Sequence, residues 1–189
     1  THMSIANSRD LDELCYPFIH ETSWLCDYEL LTDELCAQIG AVLAALPNEW
    51  DDLRQDLEQL QPLVLHANGS IRGRLALKEA DLVWLKSRLQ HYRQQLVVPP
   101  QGFVLPRGSA PVPQLHIVRS NCKKAIRALV RVSEEGREVA DILPRFLNLL
   151  CNFSFTLTLV INQRRGEAET AFVSLSYGPV KPASGQVSG

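Results

Sequence analysis

The sequence predicts an all-α protein: an up-and-down five-helix bundle with an irregular N-terminal arm and a flexible C-terminal tail. Apolar residues recur three and four positions apart in five separate stretches, the pattern of amphipathic helices. Proline, glycine and asparagine interrupt the pattern between the stretches. The chain of 189 residues, 46% of them hydrophobic, has the size of one domain. We therefore expect an arm over residues 4–22, the bundle over 23–165 and a tail over 166–189.

The first two helices are predicted on either side of Pro47. An apolar stripe from Trp24 to Leu46 indicates the first helix, which the proline ends. Asn48 is expected as the N-cap of the second helix, because its side chain can accept from the free N–H groups of a first turn. Pro62 is expected to kink this helix. Its buried stripe is predicted at Leu53, Leu57, Leu60, Leu63 and Val64.

Three more helices follow in the pattern. The third is marked by apolar residues over 82–96 and ends before a pair of prolines. Ser109 is expected to cap the fourth helix, which runs to about Val132. The fifth begins near Val139 and ends at a basic stretch closed by Gly166. Its inward residues are predicted as Ile142, Phe146, Leu149, Leu150, Phe153, Leu157, Val160 and Ile161.

The segment after the fifth helix divides into two parts. Residues 171–175 alternate weakly between apolar and polar side chains, which indicates a short strand. Residues 180–189 are rich in proline, serine and glycine, so we expect them to be mobile.

Composition excludes several classes of function. A net charge of -2, from 19 basic and 21 acidic residues, gives no global attraction to nucleic acid or anionic membranes. The five cysteines are an odd number without a CxxC pair, which favours reduced cytosolic thiols over a disulfide framework or a zinc site. No apolar run reaches the ~18 residues of a membrane span, and no secretory leader is visible. A cytoplasmic protein is expected.

A basic stripe is predicted on the fourth helix. Arg119, Lys123 and Arg127 are four positions apart and share one face, with Lys124 and Arg131 beside them. The residues alone allow two interpretations of this stripe, a triphosphate-binding surface or a solvated helix face.

Three motifs at fixed spacing carry a family resemblance. Residues 103–109 read F-V-L-P-R-G-S, and Arg119 follows sixteen positions after the phenylalanine. Residues 119–127 read R-S-N-C-K-K-A-I-R, and 146–150 read F-L-N-L-L. They resemble F-[IV]-L-P-G-G-[ST], R-x-x-C-R-R-A-E-R and F-L-N-R-L of the PduO-type ATP:cob(I)alamin adenosyltransferases. A weaker match is T-D-E-L at 32–35, similar to the family's V-D-E-L.

The resemblance implies a homotrimer with sites between adjacent subunits, in which the adenosyl group of ATP passes to cob(I)alamin to form adenosylcobalamin. Phe103 matches the phenylalanine that covers the lower axial face of the corrinoid and favours four-coordinate cobalt. Asp33 and Arg119 match an ion pair that shapes the corrinoid edge of the site. The positions that match the ATP and Mg²⁺ side are Lys123, Lys124, Arg127, Asn148 and Asn152.

The nucleotide side departs from the family pattern. Lysines stand at 123 and 124 where the family has arginines, which keeps the charge but loses the planar fork. Ile126 replaces a glutamate, Asn152 an aspartate and Leu159 an arginine. Residues 4–31 contain no glycine, whereas the family carries a glycine-rich phosphate loop there.

These departures leave two alternatives to catalysis. One is a diverged corrinoid-binding homologue that carries or senses a corrinoid without adenosylating it. The other is a structural or regulatory subunit that assembles with an active paralogue or a corrinoid-dependent enzyme.

Overall fold

The computed structural model describes residues 5–99 and 102–178, and within them the predicted five-helix, all-α architecture is confirmed. A short 3-10 helix, Leu11–Glu13, lies in the arm. The expected mobility of residues 180–189 lies outside the described residues. The five helices are α1 Trp24–Ala45, α2 Asp51–Gly69, α3 Glu79–Gln94, α4 Val112–Glu134 and α5 Ile142–Arg165.

The starts of the first two helices differ in how they are capped. Ser23 caps α1, where its hydroxyl accepts from the Leu25 N–H at 3.1 Å. At α2 the N-cap is Trp50, which makes no side-chain capping bond, so the prediction of Asn48 was wrong. The reason is a turn in the linker: the Trp50 N–H donates to the Pro47 carbonyl at 3.3 Å, and this leaves Asn48 before the helix.

The start of α4 also differs from its prediction. Pro111 stands at the N-cap, and the Ser109 hydroxyl does not cap the helix. It donates instead to the Glu167 carboxylate at 3.2 Å, while the Ser109 carbonyl accepts from the Val112 N–H at 3.0 Å. The Ser109 side chain, which the local sequence pattern predicted as the helix cap, therefore bonds a residue outside the helix instead.

Two other expectations about helix continuity can be compared with the structure. α2 contains Pro62 and continues without a break to its end. α5 ends as predicted at Gly166, whose φ of 67° lies in the left-handed region that glycine adopts without strain.

Contacts between helix ends confirm the up-and-down direction of the bundle. Ser23 lies 2.7 Å from Glu135, so α1 begins beside the end of α4, and Asp52 lies 2.6 Å from Arg164, so α2 begins beside the end of α5. Glu79 lies 2.6 Å from Arg145, so α3 and α5 begin side by side. Ser109 lies 3.2 Å from Glu167, so α4 begins beside the end of α5.

The helices pack in an order that differs from their order in the chain. α1 packs between α2 and α4, while α5 packs between α4 and α3, and α2 and α3 touch only lightly. Because α3 and α4 lie on opposite sides of α5, the segment that joins them crosses the C-terminal half of that helix. Residues Leu96, Val98 and Val104 of this segment share a cavity with Phe155 and Leu159 of α5.

The fifth helix is the core of the bundle. Its buried residues include Phe146, Phe153, Leu157 and Val160, each with 0% exposure. Within the described ranges it is the one helix long and apolar enough to cross a membrane by length and composition. Since 72% of that apolar window is buried inside the bundle, its composition is explained by packing in a protein core.

Arg72 joins the N-terminal arm to the bundle, and Tyr16 of the arm adds a side-chain hydrogen bond to Glu29 of α1. The Arg72 guanidinium lies 3.7 Å from the centre of the Phe18 ring and 2.7 Å from the Glu21 carboxylate. It also contacts the buried Glu29 of α1 at 2.7 Å. The pKa of Glu21 is lowered by its hydrogen bonds to Arg72. The arm is therefore held at the end of the bundle where α1 begins.

Candidate functional site

We call one stripe of α5 the groove: at its start it forms a cavity with α3, and further along it contacts His116 of α4. Arg145, Asn148, Asn152, Phe155 and Leu159 are three or four positions apart, so they share one stripe of the helix. Arg145 and Asn148 are exposed, Asn152 is half-buried, and the last two are buried. The stripe is thus open towards the start of the helix and covered towards its end.

Two side chains of α4 form one wall of this groove. Arg119 and Lys123 are both half-buried. Their positive charges act on the Cys151 thiol of α5 and oppose the burial that raises its pKa. Both cations therefore lie near Cys151, which precedes Asn152 in α5. Arg119 of the predicted corrinoid side and Lys123 of the predicted nucleotide side thus lie beside the same part of α5.

Two other basic residues of α4, Lys124 and Arg127, are exposed, whereas Arg119 and Lys123 are half-buried. Each step of four residues advances about 40° around a helix of 3.6 residues per turn, so a stripe with this spacing drifts round the cylinder. The predicted common face therefore holds for Arg119 and Lys123 but has turned outward at Arg127.

A buried histidine links Arg119 to the floor of the groove. The Arg119 Nε–H donates to His116 Nδ1 at 3.3 Å. The imidazole packs edge-on against Phe155, with 6.3 Å between ring centres. His116 is not among the motif residues, although its position three residues before Arg119 puts both side chains on one face of α4. The structure makes it a support for the arginine.

The environment of His116 keeps its ring neutral. The side chain is 5% exposed, and burial together with the Arg119 charge lowers its pKa from 6.5 to about 4. A neutral ring can accept the arginine N–H, whereas a protonated ring could not.

This depressed pKa predicts a pH dependence of stability. Because the unfolded state binds the proton more tightly, stability is fully present above about pH 6.5 and falls as the pH drops towards 4. Because a pKa difference of one corresponds to 1.36 kcal/mol, the free energy of unfolding falls by about 3 kcal/mol over this range. We expect His116→Asn to remove this part of the dependence in urea unfolding measured from pH 4 to 7. His66→Asn, on the exposed face of α2, is the control and should keep it.

The segment that carries Phe103 covers the end of the groove. Val104 pairs with Ala171 in an isolated antiparallel bridge, which is all of the predicted short strand at 171–175 that forms. Behind the bridge lies a cavity of about 360 Å³, lined by both of these residues and by Phe155 and Leu159. Side chains alternate along extended backbone, so Phe103 lies on the side of the segment opposite the cavity.

Asp33 lies apart from the groove in a single chain. It is exposed on α1, since Thr32, Leu35 and Cys36 form the buried face at that level. The ion pairs between residues of the described ranges include none made by Asp33. Its predicted pairing with Arg119 therefore stays a prediction.

The described residues do not build a metal centre. They contain no group of three or more histidine, cysteine or acidic side chains that could hold a metal ion. Ile126 and Asn152 occupy the positions where the family pattern has carboxylates. The described residues thus include no carboxylate cage for Mg²⁺ along this groove.

Comparison with known proteins agrees with the motifs and the fold. A family model described as cobalamin adenosyltransferase matches residues 31–161. A cobalamin adenosyltransferase of Cupriavidus metallidurans is 35% identical over 140 residues, which are 72% of this chain and 74% of that protein. A corrinoid adenosyltransferase of Bacillus subtilis is 28% identical over 147 residues, 74% of this chain and 75% of that protein.

Solved structures show the same architecture. A variant of the PduO-type ATP:corrinoid adenosyltransferase from Lactobacillus reuteri, complexed with cobalamin and ATP, matches with a TM-score of 0.73 and 20% identity. The match covers 82% of this chain and 90% of that chain. At this identity the likeness shows the fold. The family model and the Cupriavidus relative together show that the chain belongs to the cobalamin adenosyltransferase family.

Proposed function

We propose that this protein transfers the adenosyl group of ATP to the cobalt of a reduced corrinoid such as cob(I)alamin. The observation that carries the proposal is the α5 groove, where Arg119 and Lys123 of α4 act on Cys151 beside Asn152. Further along α5, Gly102 and Val104 of the Phe103 segment lie against Phe155 and Leu159. Relatives named as adenosyltransferases cover 72% and 74% of the chain, which favours catalysis over the non-catalytic alternatives.

The reaction needs positioning more than side-chain chemistry. Cobalt(I) supplies both electrons of the new cobalt–carbon bond, the bond between C5′ and the triphosphate oxygen breaks, and triphosphate leaves with that electron pair. An external reductant donates one electron to cobalt(II) to make the nucleophile. The protein contributes alignment of the two reactants and exclusion of water. Phe103 would keep water and nitrogen bases from the lower face of the corrinoid.

The nucleotide side would rely on lysine and amide side chains. Lys123 provides a positive charge at the groove wall, and Asn148 and Asn152 present amides along its floor. A lysine holds phosphate as a point charge, without the paired hydrogen bonds of an arginine. The arm before α1 contains no glycine, so a backbone cradle of the glycine-rich kind is not available to the triphosphate.

A homotrimer would complete the site. The outer face of α1 is acidic and apolar, and the outer face of α4 is mainly basic with two exposed apolar residues. The exposed residues include Asp27, Leu30, Asp33, Glu34 and Ala37 on α1, and Ile117, Lys124, Arg127, Val130 and Arg131 on α4. Two different complementary faces favour a head-to-tail contact that can close into a ring. Asp33 would then meet Arg119 of the next subunit, and Lys124 and Arg127 would face the shared site.

The direct test is an anaerobic assay with chemically reduced cobalamin and saturating MgATP, followed by chromatography of the corrin products. We expect adenosylcobalamin to form in proportion to protein. Cobalamin binding without any product would overturn the proposal in favour of a corrinoid carrier or sensor. Binding of neither ligand would favour a structural subunit.

Lys123 provides a graded test of the nucleotide side. We expect Lys123→Arg to tighten ATP binding about threefold to tenfold, roughly 0.7 to 1.4 kcal/mol, because the guanidinium can bond two phosphate oxygens. Lys123→Ala should weaken it by about tenfold. Calorimetric titration of ATP into the cobalamin-loaded protein measures both. Lys78→Arg, at the exposed start of α3, is the matched control. Equal affinities for all variants would remove Lys123 from the site.

A further inference from the structure

A short antiparallel pairing joins the tail to the segment that carries Phe103. The Phe172 N–H donates to the Phe103 carbonyl at 2.9 Å, and the Leu105 N–H donates to the Thr170 carbonyl at 2.8 Å. These two bonds flank the Val104–Ala171 bridge and fix one register. The backbone of Phe103 is therefore tied to a segment that follows α5 by only a few residues.

The tail side of this pairing is itself anchored to the bundle. The Glu167 N–H donates to the carbonyl of Asn162, the last buried polar residue of α5, at 2.9 Å. The Asn162 amide lies 3.4 Å from the Glu169 carboxylate, and the Ser109 hydroxyl lies 3.2 Å from Glu167. Arg165 adds a bond to the Ser109 carbonyl at 3.2 Å. The segment 167–172 thus leaves the helix along a defined path.

The other side of Phe103 offers little restraint. Gly102 precedes it with a φ of 73°, a conformation that glycine adopts freely, and a Cβ at Gly102 would meet no atom within 4 Å. Phe103 itself is only half-buried. Among the described residues, the paired tail is therefore the hydrogen-bonded support of the Phe103 backbone, from which the ring projects.

We infer that residues 170–172 are a positioning strand for Phe103, acting through backbone hydrogen bonds. This inference rests on the proposed function, because it gives Phe103 its task at the corrinoid. The strand keeps the Phe103 backbone in one register relative to α5, so that the ring can exclude a lower axial ligand. Its role depends on the Phe172 N–H and much less on which side chain stands at 172.

Three single variants separate the backbone from the side chain. Phe172→Pro removes the N–H that bonds Phe103, while extended backbone accepts the proline ring. Phe172→Ala keeps the N–H and removes the aromatic ring. Val173→Pro is the matched control, because N–H groups alternate sides along a strand and that of Val173 points away from the Phe103 segment. The sites follow α5, so the melting of the bundle, followed by circular dichroism, should stay unchanged in all three.

The first readout needs no ligand. Hydrogen exchange of the Leu105 N–H should be at least tenfold faster in Phe172→Pro than in wild type, and unchanged in Val173→Pro. With cob(II)alamin and ATP, Phe172→Pro should lose the four-coordinate cobalt(II) signal and at least tenfold in kcat, with KM for ATP within twofold. Phe172→Ala should retain at least fivefold more activity than Phe172→Pro.

The outcomes distinguish this inference from the proposed function. Unchanged Leu105 exchange in Phe172→Pro, or activity equal to that of Val173→Pro, overturns the positioning strand while wild-type activity upholds adenosyl transfer. A wild-type protein that makes no adenosylcobalamin overturns the proposed function, whatever the exchange rates show.

Discussion

Phe103→Ala is expected to abolish the four-coordinate cobalt(II) signal and to slow adenosylation by about 100-fold, or about 2.7 kcal/mol. The truncation would open the lower face of the corrinoid to water or to a nitrogen base. A fifth ligand stabilises cobalt(II) against reduction, so less cobalt(I) is available to attack ATP. Electron paramagnetic resonance of cob(II)alamin with protein and ATP measures the coordination, and a stopped assay measures the rate.

The same experiment needs a conservative variant and a distant one. Phe103→Leu should retain part of the signal, because an apolar side chain still excludes water. Val173→Ala removes an 81% exposed side chain of the tail and should behave as wild type. Loss of rate without loss of the four-coordinate signal would show that Phe103 acts elsewhere in the reaction.

The helices could be predicted from the sequence because the residues that determine them are close together in the chain. Apolar spacing over more than three turns, interrupted by breakers such as Pro47 and closed by Gly166, determines both the number of helices and their buried faces. The central position of α5 also follows, since its apolar residues occupy nearly the whole circumference.

The helix starts were harder to predict because residues distant in the sequence compete for the capping side chains. Ser109 has the composition of a cap, yet its hydroxyl bonds Glu167, a residue distant in sequence. Asn48 likewise is not the N-cap of α2, because a turn that ends at Trp50 leaves it before the helix. A propensity of about 1 kcal/mol is easily outweighed by one such contact.

The residues of the candidate site were predicted by the motifs, and helical spacing alone predicted only part of their arrangement. Spacing placed Arg119 and Lys123 together, and the structure agrees. It could not show that Arg127 has turned outward, because the drift matters only once the position of α5 is known. Nor could it show that Asn148 and Asn152 lie along the same groove, since that depends on α3 and α4 packing on opposite sides of α5.

The tail pairing had the weakest signal. Weak alternation over 171–175 indicated a short strand but not its partner, because Val104 and Ala171 are separated in the chain by two whole helices. Pairings of this kind are determined by where α5 ends and where the connection to α4 begins. Both are properties of the folded bundle.

The proposed trimer leads to the second large effect. Asp33→Arg is expected to dissociate the trimer at micromolar concentration and to reduce adenosylation by more than about 100-fold. The physical reason is that the substitution would place a cation against the Arg119 surface of the next subunit. Like charges brought together at an interface cost several kcal/mol.

Size-exclusion chromatography with light scattering measures the assembly, and the adenosylation assay measures the site. Glu58→Arg reverses an exposed charge on α2, away from the α1 and α4 faces, and should leave both readouts unchanged. Arg119→Asp alone should resemble Asp33→Arg. The double variant, Asp33→Arg with Arg119→Asp, restores opposite charges and should recover the trimer at least in part, although the support from His116 to position 119 is lost. Asp33→Arg that remains a fully active trimer would contradict the pairing, and a wild-type monomer with full activity would contradict the trimer itself. Recovery in the double variant would identify the two residues as partners across the subunit boundary, because the ion pairs between described residues of one chain include none made by Asp33.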